Sequence, residues 1–481
     1  MGQRGVSGRT ASPLRRPPHS SPNLGGGAVS ISGQELAEFA NQLHGGVVRP
    51  EDEGYDDARK IWNAMIDRRP ALIVRCRDAE DVTRSIAFAR NHGLPLAVRG
   101  GGHNVSGNAL CDDGLVIDLS PMKEVRIDTE RRTAVVGGGV TWGEFDKAAQ
   151  ASGLATTGGV VPATGVAGLT LGGGFGFLAR KHGLACDNLL GVELVTADGR
   201  LVHVSDRENP DLFWGVRGGG GNFGVATSFE FKLHPVGPIL GGVAVHPFDR
   251  ARDALRFYRK FVEGAPDEVT LFAALGTSPD GAPVTLLVAG YIGPAEEGER
   301  ILRPLREFGP PIVDDIKRMS YVDLQGILAP SYPPGVRNYW KSGFLADLSE
   351  EAIDTLVRHF ERVPSKRTAV VLEYLGGAVS RVGERDTAFG HRDARFDLII
   401  TSLWSDPAED EVNIAWTREL WKAMEPFASG GVYVNYLGEE REEGAERVRA
   451  AYDPEKYERL VALKRKYDPQ NLFRMNQNIR P

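Results

Sequence analysis

The hydrophobic positions of this chain switch repeatedly between the period of a helix and that of a strand. Asp78 opens a helix that puts Val82, Ile86 and Ala89 on one face, with Asp81 as a partial capping box and Gly93 at its end. Leu94 to Arg99 follows as a buried-type strand, as do Leu115–Leu119 and Thr133–Val136. Thr141, with Glu144 three residues on, forms a full capping box for a helix that Gly153 stops. Gly191–Ala197 and Leu201–Ser205 flank Asp198-Gly199-Arg200, a hairpin signal. Asn209-Pro210 opens a short helix, and Val225, Thr227, Phe229, Phe231 and Leu233 then alternate with polar or small residues as a half-buried strand.

From about Pro238 the texture changes. Ala251–Gly264 and Glu350–Val363 predict amphipathic helices, and Val284–Tyr291, Ala369–Tyr374 and Phe396–Trp404 predict strands. Such a unit can lay one sheet over a ligand. Strands near Leu372–Gly377 and Tyr339–Phe344 are candidate pocket walls, whereas Trp340, Trp404, Trp416 and Trp421 are assigned to the core by their burial tendency. The tail predicts a helix over Tyr457–Lys466.

Glycine changes the picture. The chain has 59 glycines in 481 residues, above the average share of about 7%, and they cluster. In the first cluster, an apolar strand empties into Arg99-Gly100-Gly101-Gly102-His103-Asn104. Backbone N–H groups in such a bend can converge on a pyrophosphate, although a tight turn accounts for the same letters. Ser106-Gly107-Asn108 offers a second close approach, and Gly158–Gly176 has too many glycines for a long helix and too few polar residues for a solvated loop, so it predicts a buried, irregular wall against a flat ligand. Gly219-Gly-Gly-Asn-Phe-Gly224 matches G-x-G-x-x-G, but a helix precedes it and a strand follows, the reverse of the nucleotide-binding order.

Composition mostly excludes. A net charge of −7 without a dense basic stripe argues against nucleic acid. Cys76, Cys111 and Cys186 are too few and scattered for a disulfide framework or metal site. No apolar run reaches the roughly 20 residues of a membrane span. Residues 1–33 have a leader's Gly, Ser, Pro and Arg, and the Arg15-Arg16 pair lacks a following apolar region, so the expected location is cytoplasmic.

Arg99 to Asn104, the wall Gly159-Val-Val-Pro162 to Gly176, Tyr433-x-Asn435-Tyr436 and the closing Tyr467-Asp-Pro-Gln-Asn-Leu-Phe473…Asn478 together resemble the berberine-bridge-enzyme-like FAD-linked oxidases of the vanillyl-alcohol-oxidase type. The resemblance runs from about Pro50 to Pro481. It implies an α+β fold: a two-part PCMH-type FAD-binding domain (34–237 and 439–481) and an α+β substrate domain (238–438) whose antiparallel sheet covers the flavin. It implies a bond from His103 to the flavin 8α carbon, and FAD contacts from Arg99, Gly100, Gly101, Gly102, Asn104, Gly107, Asn108, Val161, Thr164, Gly165, Gly168, Leu169, Thr170, Gly172, Gly173, Gly174, Phe175, Gly176, Val225, Asn476 and Asn478. Val161 stands where many relatives carry a second attachment, a cysteine, so the FAD is expected to be covalent through His103 only. Phe175 replaces a second tyrosine, which puts a two-base mechanism in doubt, and Thr164 replaces an oxygen-gating aliphatic residue, which leaves the acceptor open. Tyr436 matches the general base of sugar- and alcohol-oxidising relatives, and Tyr433 its neighbour near the flavin.

A free phenol titrates near 10 and is protonated at neutral pH, so Tyr436 needs a depressed pKa or coupling to the transfer. The expected activity is hydride transfer from a CH–OH group of a small organic substrate, such as a sugar or secondary-metabolite alcohol, to flavin N5, with O2 reoxidising the flavin to give hydrogen peroxide. An amine or heterocyclic-carbon oxidase is the alternative enzyme, and a non-catalytic flavin-binding protein the alternative of another class.

Overall fold

The structure is a computed structural model that describes residues 31–438 and 440–481; the leader lies outside the described residues apart from its last few positions. Three sheets organise the chain. The first has the order Gly46–Val48, Leu72–Arg75, Leu115–Asp118, Leu96–Arg99, with the last two strand pairs parallel. Apolar residues fill it on both faces, as a partly parallel sheet requires. The helix Ala79–Asn91 connects its strands, and Asp78 caps that helix by accepting from the N–H groups of Glu80 and Asp81.

The second sheet is antiparallel, in the order Val125–Asp128, Thr133–Gly137, Val225–Lys232, Leu189–Val195, Leu201–Ser205. The expected hairpin is there, with Gly199 at φ +87 in its turn. So is the capping box: the Thr141 hydroxyl and backbone N–H both donate to Glu144 Oε2, at 2.9 and 2.8 Å, at the head of the helix Trp142–Gln150. The G-x-G-x-x-G letters sit between the helix Pro210–Val216 and the strand Val225–Lys232, in the reversed order read from sequence.

The third sheet is eight-stranded. Its central order is Ile239–Pro247, Pro283–Tyr291, Val269–Thr277, Ala369–Tyr374, Phe396–Trp404, Arg337–Leu345, each pair antiparallel. The helices Ala251–Glu263, Glu350–Phe360 and Asp410–Met424 cover one face, burying Leu255, Tyr258, Leu356, Phe360 and Leu420 against strand residues such as Leu271, Leu287, Leu398 and Ile400. The other face turns toward the first two sheets. Arg180 fixes that junction, donating to the carbonyls of Val269, Leu375 and Ala265 at 2.7, 2.6 and 3.1 Å. The Arg392–Asp187 pair, 2.6 Å apart and buried, joins the same parts.

The tail returns to the second sheet. Lys464 and Asp468 form a fully buried pair at 2.8 Å, and the Lys464 ammonium also donates to the carbonyls of Asn222 and Phe473. Asp468 in turn accepts from the N–H groups of Leu472 and Phe473, so the closing motif is held by its own carboxylate.

Candidate active site

A cavity of about 890 Å³ lies where the three sheets meet. The strand Leu96–Arg99 delivers Gly100, Gly101, Gly102, His103 and Asn104 to its wall. Glycine is forced there: a Cβ on Gly101 would stand 2.4 Å from the Gly165 nitrogen, so the two glycine segments meet backbone to backbone. Asn104 accepts from the Ser106 hydroxyl at 2.7 Å and the Asn108 N–H at 3.0 Å, which shapes the following turn and sets Asn108 on the cavity. Of the glycine-rich wall, Val161, Thr164, Gly165, Gly168, Leu169 and Phe175 line the cavity, and Val225 and Asn476 reach it from the second sheet and the tail. The wall contains one short helix, Val166–Leu171, within an otherwise irregular path.

Nine residues expected at the cofactor or the reaction centre do not line this cavity. Arg99 turns away from the cavity: its guanidinium pairs with Asp118 at 2.7 Å and also donates to the Ala58 carbonyl. Parallel register sets Arg99 beside Asp118, which no local motif reveals. Gly107, with φ +76, is packed against Ile66. Gly172, Gly173, Gly174 and Gly176 are demanded by protein rather than by a ligand, since Cβ atoms there would meet Asn435, Phe389, Ala185 and the Gly158 carbonyl. Thr170 and Asn478 are buried beside the cavity without lining it. Tyr433 lies behind the wall. Its hydroxyl accepts from Gly174 N–H and Asn435 Nδ2, both at 2.7 Å, which ties the Tyr-x-Asn-Tyr turn to the glycine wall.

Tyr436 faces the cavity from a 3-10 turn over Val434–Tyr436. Its hydroxyl donates to both oxygens of Glu373 at 3.3 Å. Burial and the Glu373 charge push the Tyr436 phenol well above its ordinary value, the opposite of the depression a free phenolate base needs. Glu373 is buried, and desolvation with the neighbouring Asp397 pushes its carboxyl well above the ordinary range. The phenol and the carboxyl are thus a hydrogen-bonded pair on the cavity wall, arranged so that a proton can pass between them.

Aromatic residues complete this end. Trp62 stacks on the His103 ring, centroids 4.1 Å apart and planes 18° apart, and its indole N–H donates to the Tyr332 carbonyl at 3.1 Å. Trp340 stands edge-on to Trp62 at 5.6 Å and to Tyr436 at 6.1 Å. It lines the cavity, so its assignment to the core is corrected; Trp404 and Trp416 are core residues as expected. Sequence reasoning missed Trp62, Tyr332 and Glu373 as site residues. The wall expected near Leu372–Gly377 overlaps the strand Ala369–Tyr374, which meets the cavity through Ala369, Val371 and Glu373, and an acid within an apolar run is the one signal that singles out Glu373.

The donor set fits a flavin dinucleotide. His103 Nε2 is buried with no hydrogen-bond partner among the described residues, and burial lowers its pKa to about 4, so the imidazole is neutral and able to act as a nucleophile near pH 7. Asn108 Nδ2, Asn476 Oδ1 and Gln477 Oε1 are likewise buried and unpartnered on cavity-lining residues, which suits polar groups along a cofactor. His182 is structural, stacked on His234 at 3.9 Å. The three cysteines are free and buried. No helix among the described residues is long and apolar enough to cross a membrane.

Comparison with known proteins agrees with this geometry. Residues 70–205 match the FAD binding domain family, and residues 432–480 match the berberine and berberine-like family. The (R)-6-hydroxynicotine oxidase of Paenarthrobacter nicotinovorans is 36% identical over 91% of this chain and 97% of its own length. An FAD-linked oxidoreductase of Dictyostelium discoideum is 33% identical over 93% of this chain and 97% of its own. The crystal structure of 6-hydroxy-D-nicotine oxidase from Arthrobacter nicotinovorans superposes with a TM-score of 0.85 at 35% identity, covering 91% of this chain and 98% of that one. The chain belongs to the berberine-bridge-enzyme-like family of PCMH-type FAD-linked oxidoreductases.

Proposed function

We propose that this oxidoreductase takes hydride from a CH–OH carbon of a small, largely apolar organic molecule, with O2 as the electron acceptor and FAD bonded through His103 alone. The observation that carries the reading is the hydrogen bond from Tyr436 to the buried Glu373 on the cavity wall. FAD, when bound, accepts the hydride. The substrate hydroxyl gives its proton to the Tyr436 oxygen as the Tyr436 proton passes to Glu373, so no free phenolate is needed. Phe175, Phe272, Val288, Val371, Ile399 and Trp340 surround this centre and favour an aromatic or terpenoid-like alcohol over a sugar. The site residues given above from Gly100 to Asn476 would hold the cofactor, with the flavin-binding part in 34–237 and 439–481 and the substrate part in 238–438. Buried, unpaired thiols are compatible with work in the cytoplasm.

An amine substrate is the second reading, supported by the similarity to (R)-6-hydroxynicotine oxidase. Anaerobic mixing of the yellow holoenzyme with benzylic alcohols, (R)-6-hydroxynicotine and oligosaccharides tests both. Bleaching by apolar alcohols is expected, followed by hydrogen peroxide on admitting air. Bleaching by the amine alone selects the second reading, bleaching by sugars alone overturns the apolar assignment, and bleaching by nothing in the panel overturns both.

A further inference from the structure

Glu373 and Asp397 are direct cross-strand partners on Ala369–Tyr374 and Phe396–Trp404. Directly opposed residues leave a sheet on the same face, with Cβ atoms about 5 Å apart. That face looks into the cavity: Ile399 and Thr401, on Asp397's side of its strand, line it, and so does Phe272, opposite Glu373 on the other neighbour. The two residues are 3% and 1% exposed. Neither is ion-paired among the described residues, and Asp397 Oδ1 has no hydrogen-bond partner. The titratable groups around the pair come from several elements, and from the opposite face of the sheet Tyr258, whose hydroxyl donates to the Leu372 carbonyl, feels Glu373. Tyr436 donates to Glu373, Tyr332 and Tyr433 stand near it, and Arg447, from the helix Glu440–Ala450, donates to the Ser342 carbonyl and acts on Asp397 from a distance.

Two carboxylates on directly opposed residues of a buried sheet face repel each other, so that both ionising is costly and their titrations belong to the pair. We propose that Glu373 and Asp397 carry one proton between them at neutral pH, which makes Asp397 a positioning residue for the proton transfer at Tyr436. Because Tyr436 donates to both oxygens of Glu373, the charge rests on Glu373 and the proton on Asp397. In turnover the substrate O–H bond breaks toward the Tyr436 oxygen while the Tyr436 O–H bond breaks toward Glu373. The pair then holds two protons and releases one to solvent before the next cycle. This consequence rests on the function proposed above, whereas the one-proton resting state does not.

Infrared spectra of the substrate-free holoenzyme across pH test the resting state. A protonated carboxyl band is expected to persist through pH 7 in the native protein. Its high-pH titration step is expected to vanish in Asp397→Asn and also in Glu373→Gln, the surviving carboxyl titrating at least one pH unit lower. If each variant removes its own band and leaves the other's midpoint unchanged, the coupling is overturned. Should Asp397→Asn fail to fold, Asp397→Ser removes the same carboxyl and is read in the same way. Unimpaired flavin reduction in Glu373→Gln would instead defeat the proposed function and leave the coupled pair standing.

Discussion

The Tyr436 hydroxyl and the Glu373 carboxylate meet at 3.3 Å through both carboxylate oxygens, joining a turn near the C-terminus to the middle of the eight-stranded sheet. Removing the hydroxyl breaks the conduit and leaves the cavity's shape nearly intact. Tyr436→Phe is therefore expected to slow substrate-driven flavin reduction by roughly 10²–10⁴-fold without altering FAD content. Stopped-flow absorbance under anaerobic conditions measures the first, and the visible spectrum of the purified protein the second. An unchanged reduction rate would remove Tyr436 from the proton path.

Trp62 holds the His103 ring by stacking. Trp62→Ala frees the imidazole to rotate, and the fraction of flavin retained after acid precipitation is expected to fall, while Trp62→Phe keeps a stacking surface and retains most of it. Equal retention in both variants would show that the strand and glycine bend orient His103 unaided.

Gly101 and Gly165 touch through their backbones. Gly101→Ala must part the two segments because the obstacle is a backbone nitrogen 2.4 Å away, not a side chain that can swing aside. Lower FAD occupancy and a lower Tm are the expected outcomes, read by the ratio of visible to ultraviolet absorbance and by thermal unfolding. Gly173→Ala, strained by φ +128 and crowded by the Phe389 ring, is expected to lower Tm with a smaller effect on occupancy, because Gly173 does not line the cavity.

Asp146 is buried behind the wall, accepting from Gln325 Nε2 at 2.9 Å while the same amide donates to the Gly159 carbonyl at 2.8 Å. Desolvation raises its pKa from 3.8 to about 7. Between those values the folded protein keeps a proton that the unfolded chain has shed, so stability falls as pH rises through this window and is level above it. Asp146→Asn is expected to flatten that slope and to raise Tm at pH 8 by about 2 °C or more. Thermal unfolding from pH 4 to 8 checks it, and parallel curves for the two proteins would contradict it.

Local devices were legible in the sequence and long-range ones were not. The Asp78 cap, the Thr141–Glu144 box, the Asp198-Gly199 hairpin and the glycine bend before His103 each complete themselves within a few residues, so their letters suffice. Arg99 misled because its partner arrives through strand register, and Tyr433 because its hydroxyl is taken by Gly174 and Asn435. The glycines of Gly172–Gly176 suggest space for a ligand, but Gly172, Gly173 and Gly174 make room for Asn435, Phe389 and Ala185. Trp62 and Trp340 meet at the site only where the eight-stranded sheet covers the glycine bend, and nothing in their own neighbourhoods announces it; Glu373 has one local signal, an acid within an apolar run.

The account depends most on His103, whose unpartnered, neutral imidazole lines the cavity next to Trp62. Acid precipitation of the native protein and of His103→Ala measures its role directly. A yellow native pellet over a clear supernatant, with a colourless pellet and all flavin in the supernatant for His103→Ala, is the predicted result. A colourless native pellet with free FAD above it, or a yellow pellet from His103→Ala, would contradict attachment through this residue alone.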